Sequence, residues 1–245
     1  MNINKNGQLT SNNISELGPT DGLVGYWPLN GDTLDYSGNG NDGVNNGATI
    51  TSGNNGKLAY EFDGVSNGIT IPYNSNITPV SDLTLSSWVK SEDFGEGYKV
   101  IILKTNAGRS YCLEFYENHL DFSMSKASST SWDLLPHLRS STKLNDNMWH
   151  HVASTYNGII ACIYIDGVLI ASQATTGNIL NTESDINIAH SNRGEYANGM
   201  FQDVRIYNRA LSPEEVKILY DMTAGDKIKM KQTADTLYVN QLNEV

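Results

Sequence analysis

Ile159-Ile160-Ala161-Cys162-Ile163-Tyr164-Ile165-Asp166-Gly167-Val168-Leu169-Ile170 is the stretch that decides the architecture. Its first seven residues are apolar on both alternating faces, which predicts a strand buried between two layers. Asp166-Gly167 then separates two apolar runs. That dipeptide is the strongest short hairpin signal, because the favoured two-residue turn needs positive φ at both central positions. The stretch therefore predicts two antiparallel strands with something packed on each side of the first.

The same grammar extends in both directions. Leu83-Thr84-Leu85-Ser86-Ser87-Trp88-Val89 is β-rich with partial alternation, and Tyr111–Phe115 and His119–Met124 alternate like half-buried strands. Asn (28), Gly (22), Ser (23) and Thr (18) make up over a third of the 245 residues. Such side chains favour turns and strand edges over helix interiors, so a helical bundle is excluded. One helix is still marked: Ser212 as N-cap, Pro213 at the first helical position and Glu215 completing a capping box, running to about Met222. The apolar pair Trp149 and Tyr164 is expected in the core.

Charge narrows the function. The net charge is −11, and neutralising nucleic-acid phosphates requires clustered Lys and Arg. Nucleic acid is therefore not an expected partner. No apolar run approaches the roughly 18 residues of a membrane span. Two cysteines, Cys112 and Cys162, are too few for a disulfide framework and are expected as buried thiols. Three parts are expected: a polar segment 1–20 ending in Gly18-Pro19, a dense domain 21–222, and a polar segment 223–245.

Four motifs follow in order: Gly25-Tyr26-Trp27-Pro28-Leu29-Asn30-Gly31 with Asp35-Tyr36-Ser37-Gly38-Asn39-Gly40-Asn41-Asp42-Gly43; Leu58-Ala59-Tyr60-Glu61-Phe62-Asp63-Gly64; Trp149-His150-His151-Val152-Ala153-Ser154-Thr155-Tyr156-Asn157-Gly158 with Tyr164-Ile165-Asp166-Gly167; and Gly199-Met200-Phe201-Gln202-Asp203-Val204-Arg205-Ile206-Tyr207-Asn208-Arg209-Ala210-Leu211-Ser212. Over about residues 21–222 this resembles the laminin G-like, concanavalin A-like lectin/glucanase jelly-roll domain. The resemblance implies an all-β fold: a two-sheet antiparallel jelly-roll sandwich with one short C-terminal helix, here flanked by small β-like terminal segments. Fold alone leaves the ligand open.

Candidate sites come from chemistry at specific positions. Asp35, Ser37, Asn39 and Asn41 place oxygens at every second position of a Gly-rich loop, as a calcium site would need. The resemblance adds the last-strand pair Gln202-Asp203, so Asp35, Asn39, Asn41, Gln202 and Asp203 are the expected set for a structural Ca2+. The alternative is a turn held by its own Asx hydrogen bonds. For sugar recognition, Trp132 in a polar run and the cluster His190, Arg193 and Tyr196 are the candidates. Arg205 and Arg209 are expected to pair with nearby carboxylates. His150 and His151 are adjacent, so a strand points them to opposite faces. Catalysis finds little support: the E-x-D-x-x-E strand signature is absent, and Glu114 and Glu117 would lie on opposite faces.

The ends carry a separate hint. Gly7–Glu16 and Asp235–Glu244 agree at Leu9/Leu237, Asn12/Asn240, Ile14/Leu242 and Glu16/Glu244 at one constant offset. Ile3–Leu9 also resembles short segments at the ends of bacteriophage tail-fibre and other virion proteins, and Met1–Gly7 holds no apolar signal core. The expectation is a non-enzymatic virion structural or adhesion protein, of tail-fibre or capsid-decoration type, on the particle surface. It would join other virion proteins, and copies of itself, through residues 1–20 and 223–245, and bind host-surface glycans. A cellular carbohydrate-binding lectin and a polysaccharide-degrading enzyme are the alternatives.

Overall fold

The computed structural model describes residues 18–105, 109–127 and 134–223. Trp132 and the similar ends, Gly7–Glu16 and Asp235–Glu244, lie outside the described residues. The elements are β1 (Leu23–Trp27), β2 (Val44–Asn46), β3 (Thr49–Ser52), β4 (Leu58–Asp63), β5 (Gly68–Ile71), β6 (Leu83–Lys90), β7 (Tyr98–Thr105), β8 (Arg109–Tyr116), β9 (His119–Ser125), β10 (Leu134–Lys143), β11 (His150–Tyr156), β12 (Ile160–Ile165), β13 (Val168–Ala174), β14 (Ile186–Ile188), β15 (Asn198–Tyr207) and helix α1 (Pro213–Thr223).

They build two antiparallel sheets. One runs β13-β12-β11-β6-β15-β4-β3 with β1 added beside β15; the other runs β10-β9-β8-β7-β14-β5-β2. Alternation along each strand sends one set of side chains between the sheets. Phe62, Leu85, Val152, Ile163 and Ile206 from the first sheet meet Ile71, Ile102, Leu113, Phe122 and Ile188 from the second in one core. This is the jelly-roll sandwich that the motif order implies.

The opening stretch folds as its composition requires. Ile165 pairs with Val168 across a two-residue turn, with Asp166 at φ 52° and Gly167 at φ 75°. Gly167 supplies that conformation without steric cost. β12 is covered on both sides: Ala161, Ile163 and Ile165 face the core, while Cys162 and Tyr164 lie beneath α1 with Leu211, Val216 and Leu219. Both cysteines are buried free thiols.

The helix starts in a capping box. Glu215 N–H donates to Ser212 Oγ at 3.2 Å, and Ser212 N–H donates to Glu215 Oε2 at 2.9 Å. Arg209 clamps the same carboxylate with two 2.7 Å bonds, as expected of that arginine. One expectation needs correction: Tyr164 is buried, but Trp149 is half-buried at the surface. β11 begins only at His150, so Trp149 sits in the loop before the strand and escapes the inward alternation. Among the described residues Trp27 is the most buried indole, its Nε1–H donating to Asn41 O at 2.8 Å.

The two histidines of β11 diverge as alternation dictates, and they titrate in opposite directions. His151 packs against Trp88 and Tyr220, and burial depresses it to about 4. His150 bridges Asp166 Oδ2 at 2.8 Å and Asp146 Oδ1 at 3.1 Å. The Asp166 hydrogen bond, opposed by burial and aided by Asp146, raises His150 above its ordinary range. The charged bridge is therefore fully present below the unfolded histidine value of about 6.5 and fades as pH rises through the higher folded value. His150→Ala is expected to cost about 1 kcal/mol at pH 6, since Asp146 is largely exposed and screened. The deficit should shrink toward pH 8 in urea titrations of both proteins. A deficit independent of pH would refute the bridge.

Candidate functional site

The Asp35 loop shows what its sequence pattern builds. Asp35 Oδ1 accepts from the N–H of Tyr26 (3.0 Å) and of Ser37 (2.8 Å), and Oδ2 accepts from Ser37 Oγ (2.9 Å) and Asn41 N–H (2.9 Å). Asn39 turns its Nδ2 onto Leu23 O, Val24 O and Ser37 Oγ, and Asn41 donates its Nδ2 to Val24 O at 2.9 Å. The loop thus points N–H donors at oxygens, which is the arrangement of an Asx turn. Among the loop's buried side-chain oxygens, Asn41 Oδ1 is left without a hydrogen-bond partner, whereas calcium takes six to eight oxygens, backbone carbonyls among them.

The last-strand pair is likewise engaged. Gln202 Oε1 accepts from Asn54 N–H at 2.8 Å. Asp203 Oδ1 accepts from Arg205 Nε at 2.9 Å. Among the described residues no group of three or more His, Cys, Asp or Glu is arranged to hold a metal. Asp35, Gln202 and Asp203, three of the residues expected to hold calcium, therefore already carry hydrogen bonds within the fold.

A cleft of about 440 Å³ lies on the outer face of the seven-stranded sheet, within the size range of small-ligand sites. Its floor is a row across three strands, in which Thr70 of β5 stands opposite Asn187 of β14, and Asn187 opposite Leu103 of β7. One wall is Glu183, Ser184 and Asp185, just before β14; the other is the β14–β15 loop with His190, Asn192, Arg193 and Glu195. Of the four residues proposed for sugar binding, His190 and Arg193 line this cleft. Tyr196 is stacked on His190 with ring centroids 6.1 Å apart. It supports the ring and is not itself part of the wall.

The loop is locally braced. His190 Nε2 lies 3.1 Å from Thr70 Oγ1, and burial lowers its basicity, so the ring is neutral at pH 7. The ring also packs closely against Gly68 of β5, where any Cβ would come within 2.1 Å of it. Ser191 Oγ donates to Glu195 Oε2 at 2.8 Å, closing the turn. The floor residues escaped the sequence reading. Their trace is there: Ile69-Thr70-Ile71 and Ile186-Asn187-Ile188 each set one polar residue between two buried isoleucines. What sequence cannot supply is that the two strands are neighbours.

A second, shallower groove of about 300 Å³ is lined by Asn54, Trp88, Lys90, Asn147, Met148 and Trp149 on the other sheet, beside α1. A carboxylate pair also appears that spacing along one strand concealed. Glu114 stands directly opposite Asp121 across β8 and β9, whereas Glu117 belongs to the β8–β9 turn and accepts from Gly97 N–H. Both Glu114 and Asp121 are fully buried. Arg139 Nε holds Asp121 at 2.7 Å and His137 Nε2 lies 3.0 Å from it. Asp121 itself is shut from solvent and is committed to an ion pair with the part-exposed Arg139.

Residues 62–217 match the family model described as concanavalin A-like lectin/glucanases superfamily. The chain belongs to that superfamily. No curated protein matches it. Among solved structures, the binding domain of Paraclostridial mosquitocidal protein 1 is similar, with TM-score 0.70 and 20% identity, over 84% of this chain and 56% of that one. Domain 4 of a GH43 extracellular arabinanase from Geobacillus stearothermophilus, in complex with arabinotriose, has TM-score 0.65 and 18% identity over 82% of this chain and 98% of that domain. The botulinum neurotoxin serotype G binding domain has TM-score 0.65 and 18% identity over 81% and 50%. The chain spans about half the length of the toxin domains. At these identities the likeness establishes the fold.

Proposed function

We propose that the chain is a non-enzymatic glycan-binding domain displayed on a bacteriophage particle for attachment to the host surface. The observation that carries the binding reading is the outer-face cleft, in which hydroxyl, amide, carboxylate and guanidinium groups converge over one apolar floor residue. That mixture suits a ligand dense in hydroxyls, because each buried polar contact must be matched to be tolerated. The arabinotriose in the similar arabinanase domain supports the same ligand class. A non-catalytic role is favoured by Asp121, whose carboxylate is tied to Arg139 instead of standing free beside Glu114. A working glycosidase pair needs both carboxyls at the scissile bond.

Binding of the full chain to a printed glycan array tests the reading. Arg193→Ala is expected to weaken the strongest interaction about tenfold or more, the scale of a lost charge-assisted hydrogen bond, with unchanged thermal stability because Arg193 is exposed. Unaltered binding by that variant would remove the cleft from the account. The virion role rests on the resemblance of Ile3–Leu9 to phage structural segments and on the similarity of the two ends. In this reading residues 1–20 and 223–245 join neighbouring virion proteins or further copies. Light scattering of the full chain should then give a mass of several protomers, and a monomer at high concentration would argue against self-assembly.

A further inference from the structure

Resting on the glycan-binding reading, we infer that the outer-face cleft selects neutral glycans and rejects those bearing sialic or uronic acids. Three carboxylates line it, Glu183, Asp185 and Glu195, against one guanidinium, Arg193. His190 adds no positive charge, because burial keeps the imidazole neutral at pH 7. The carboxylates come from both walls, so a ligand in the cleft meets negative charge from either side. Two of them are fixed in place: Asp185 Oδ1 accepts from Tyr73 N–H at 2.8 Å, and Glu195 Oε2 accepts from Ser191 Oγ at 2.8 Å. They cannot swing away from an incoming anion without breaking those bonds.

The whole chain carries −11; behind the wall Lys104 attracts Asp185, which leaves Glu183 and Glu195 against Arg193 in the cleft. Lys104, a buried cation nearby, points its Nζ at Ser184 O (2.8 Å) and over the Tyr73 ring. It is spent on holding the 183–185 wall and is not among the groups that line the cleft. Neutral hydroxyl pairs, by contrast, can donate to carboxylate oxygens, and such charge-assisted bonds are the stronger kind. The floor continues the pattern: Thr70, Asn187 and Leu103 offer a hydroxyl, an amide and an apolar patch, and no cation.

The experiment compares lactose-terminated glycans with their sialyllactose counterparts, and neutral arabino- and galacto-oligosaccharides with galacturonic oligomers, by array and by calorimetry. Neutral members are expected to bind at least tenfold more tightly than acidic partners at low salt, with the gap narrowing as salt screens the repulsion. Glu183→Lys, at an exposed wall position, is expected to narrow the same gap severalfold while leaving the melting temperature unchanged. Acidic members binding as well as or better than neutral ones would overturn the selectivity while leaving glycan binding intact. Failure of every glycan to bind would overturn both.

Discussion

Arg205→Met is expected to lower the unfolding free energy by about 3–5 kcal/mol, the cost of leaving a buried charge without its partner. Arg205 is 2% exposed and Asp203 5%. The guanidinium lies 4.1 Å over the Tyr26 ring and holds Asp203 through Nε at 2.9 Å. Burial opposes the charge on Arg205, yet Asp203, together with Tyr26 and Tyr207, more than offsets it and raises the group above its ordinary range. Tyr26 is pushed upward in turn, chiefly by burial and then by Asp203, so it remains a neutral phenol. Asp203 reaches this position through a left-handed backbone, φ 58°, at a register break between Gln202 and Arg205 in β15. With methionine at 205, shape and apolar contact with Tyr26 persist, but the Asp203 carboxylate is stranded. Urea denaturation at pH 7 reads the loss. Adding Asp203→Asn should recover a large part of it, because the double variant buries no lone charge. A single-variant loss below 1 kcal/mol would show that water already reaches the pair.

This pair also marks how far sequence carries. The hairpin at Asp166-Gly167 and the capping box at Ser212 were legible because each depends on residues within four positions of one another. The pairing of Arg209 with Glu215 spans only six positions. β12 revealed both of its covered faces through unbroken apolar composition. The cleft was half legible: His190 and Arg193 lie in one polar loop, so they stood out together. Thr70 and Asn187, 117 positions apart, join only through strand pairing between β5 and β14. The Glu114–Asp121 apposition was missed for a related reason. A search along one strand finds Glu117, three residues on, whereas the true neighbour lies across the β8–β9 turn. Trp149 departs from expectation because the large apolar area of an indole argues for burial, whereas its place in the loop before β11 leaves it half-buried.

Asp35→Ala is expected to cost about 2–4 kcal/mol, the sum expected when several partly buried N–H groups lose their acceptor. The carboxylate collects four donors, from Tyr26, Ser37 and Asn41, and thereby ties β1 to the loop that covers Trp27. Asp35→Asn should fall between wild type and Asp35→Ala. It keeps one acceptor oxygen but turns an NH2 toward groups that themselves donate. The competing calcium reading makes a different forecast. A bound ion stabilises the folded state according to its free concentration, by about 2.7 kcal/mol at a hundred times its dissociation constant. Chelation would then lower the melting temperature by several degrees, and Asp35→Ala would abolish that response. With the loop closed by its own N–H donors, EDTA and millimolar calcium should give superimposable melting curves for wild type, while Asp35→Ala melts several degrees lower in both. A chelator-dependent shift in wild type that vanishes in Asp35→Ala would overturn the self-satisfied loop. The same four hydrogen bonds would then have to be read as the resting state of a site that rearranges around its ion.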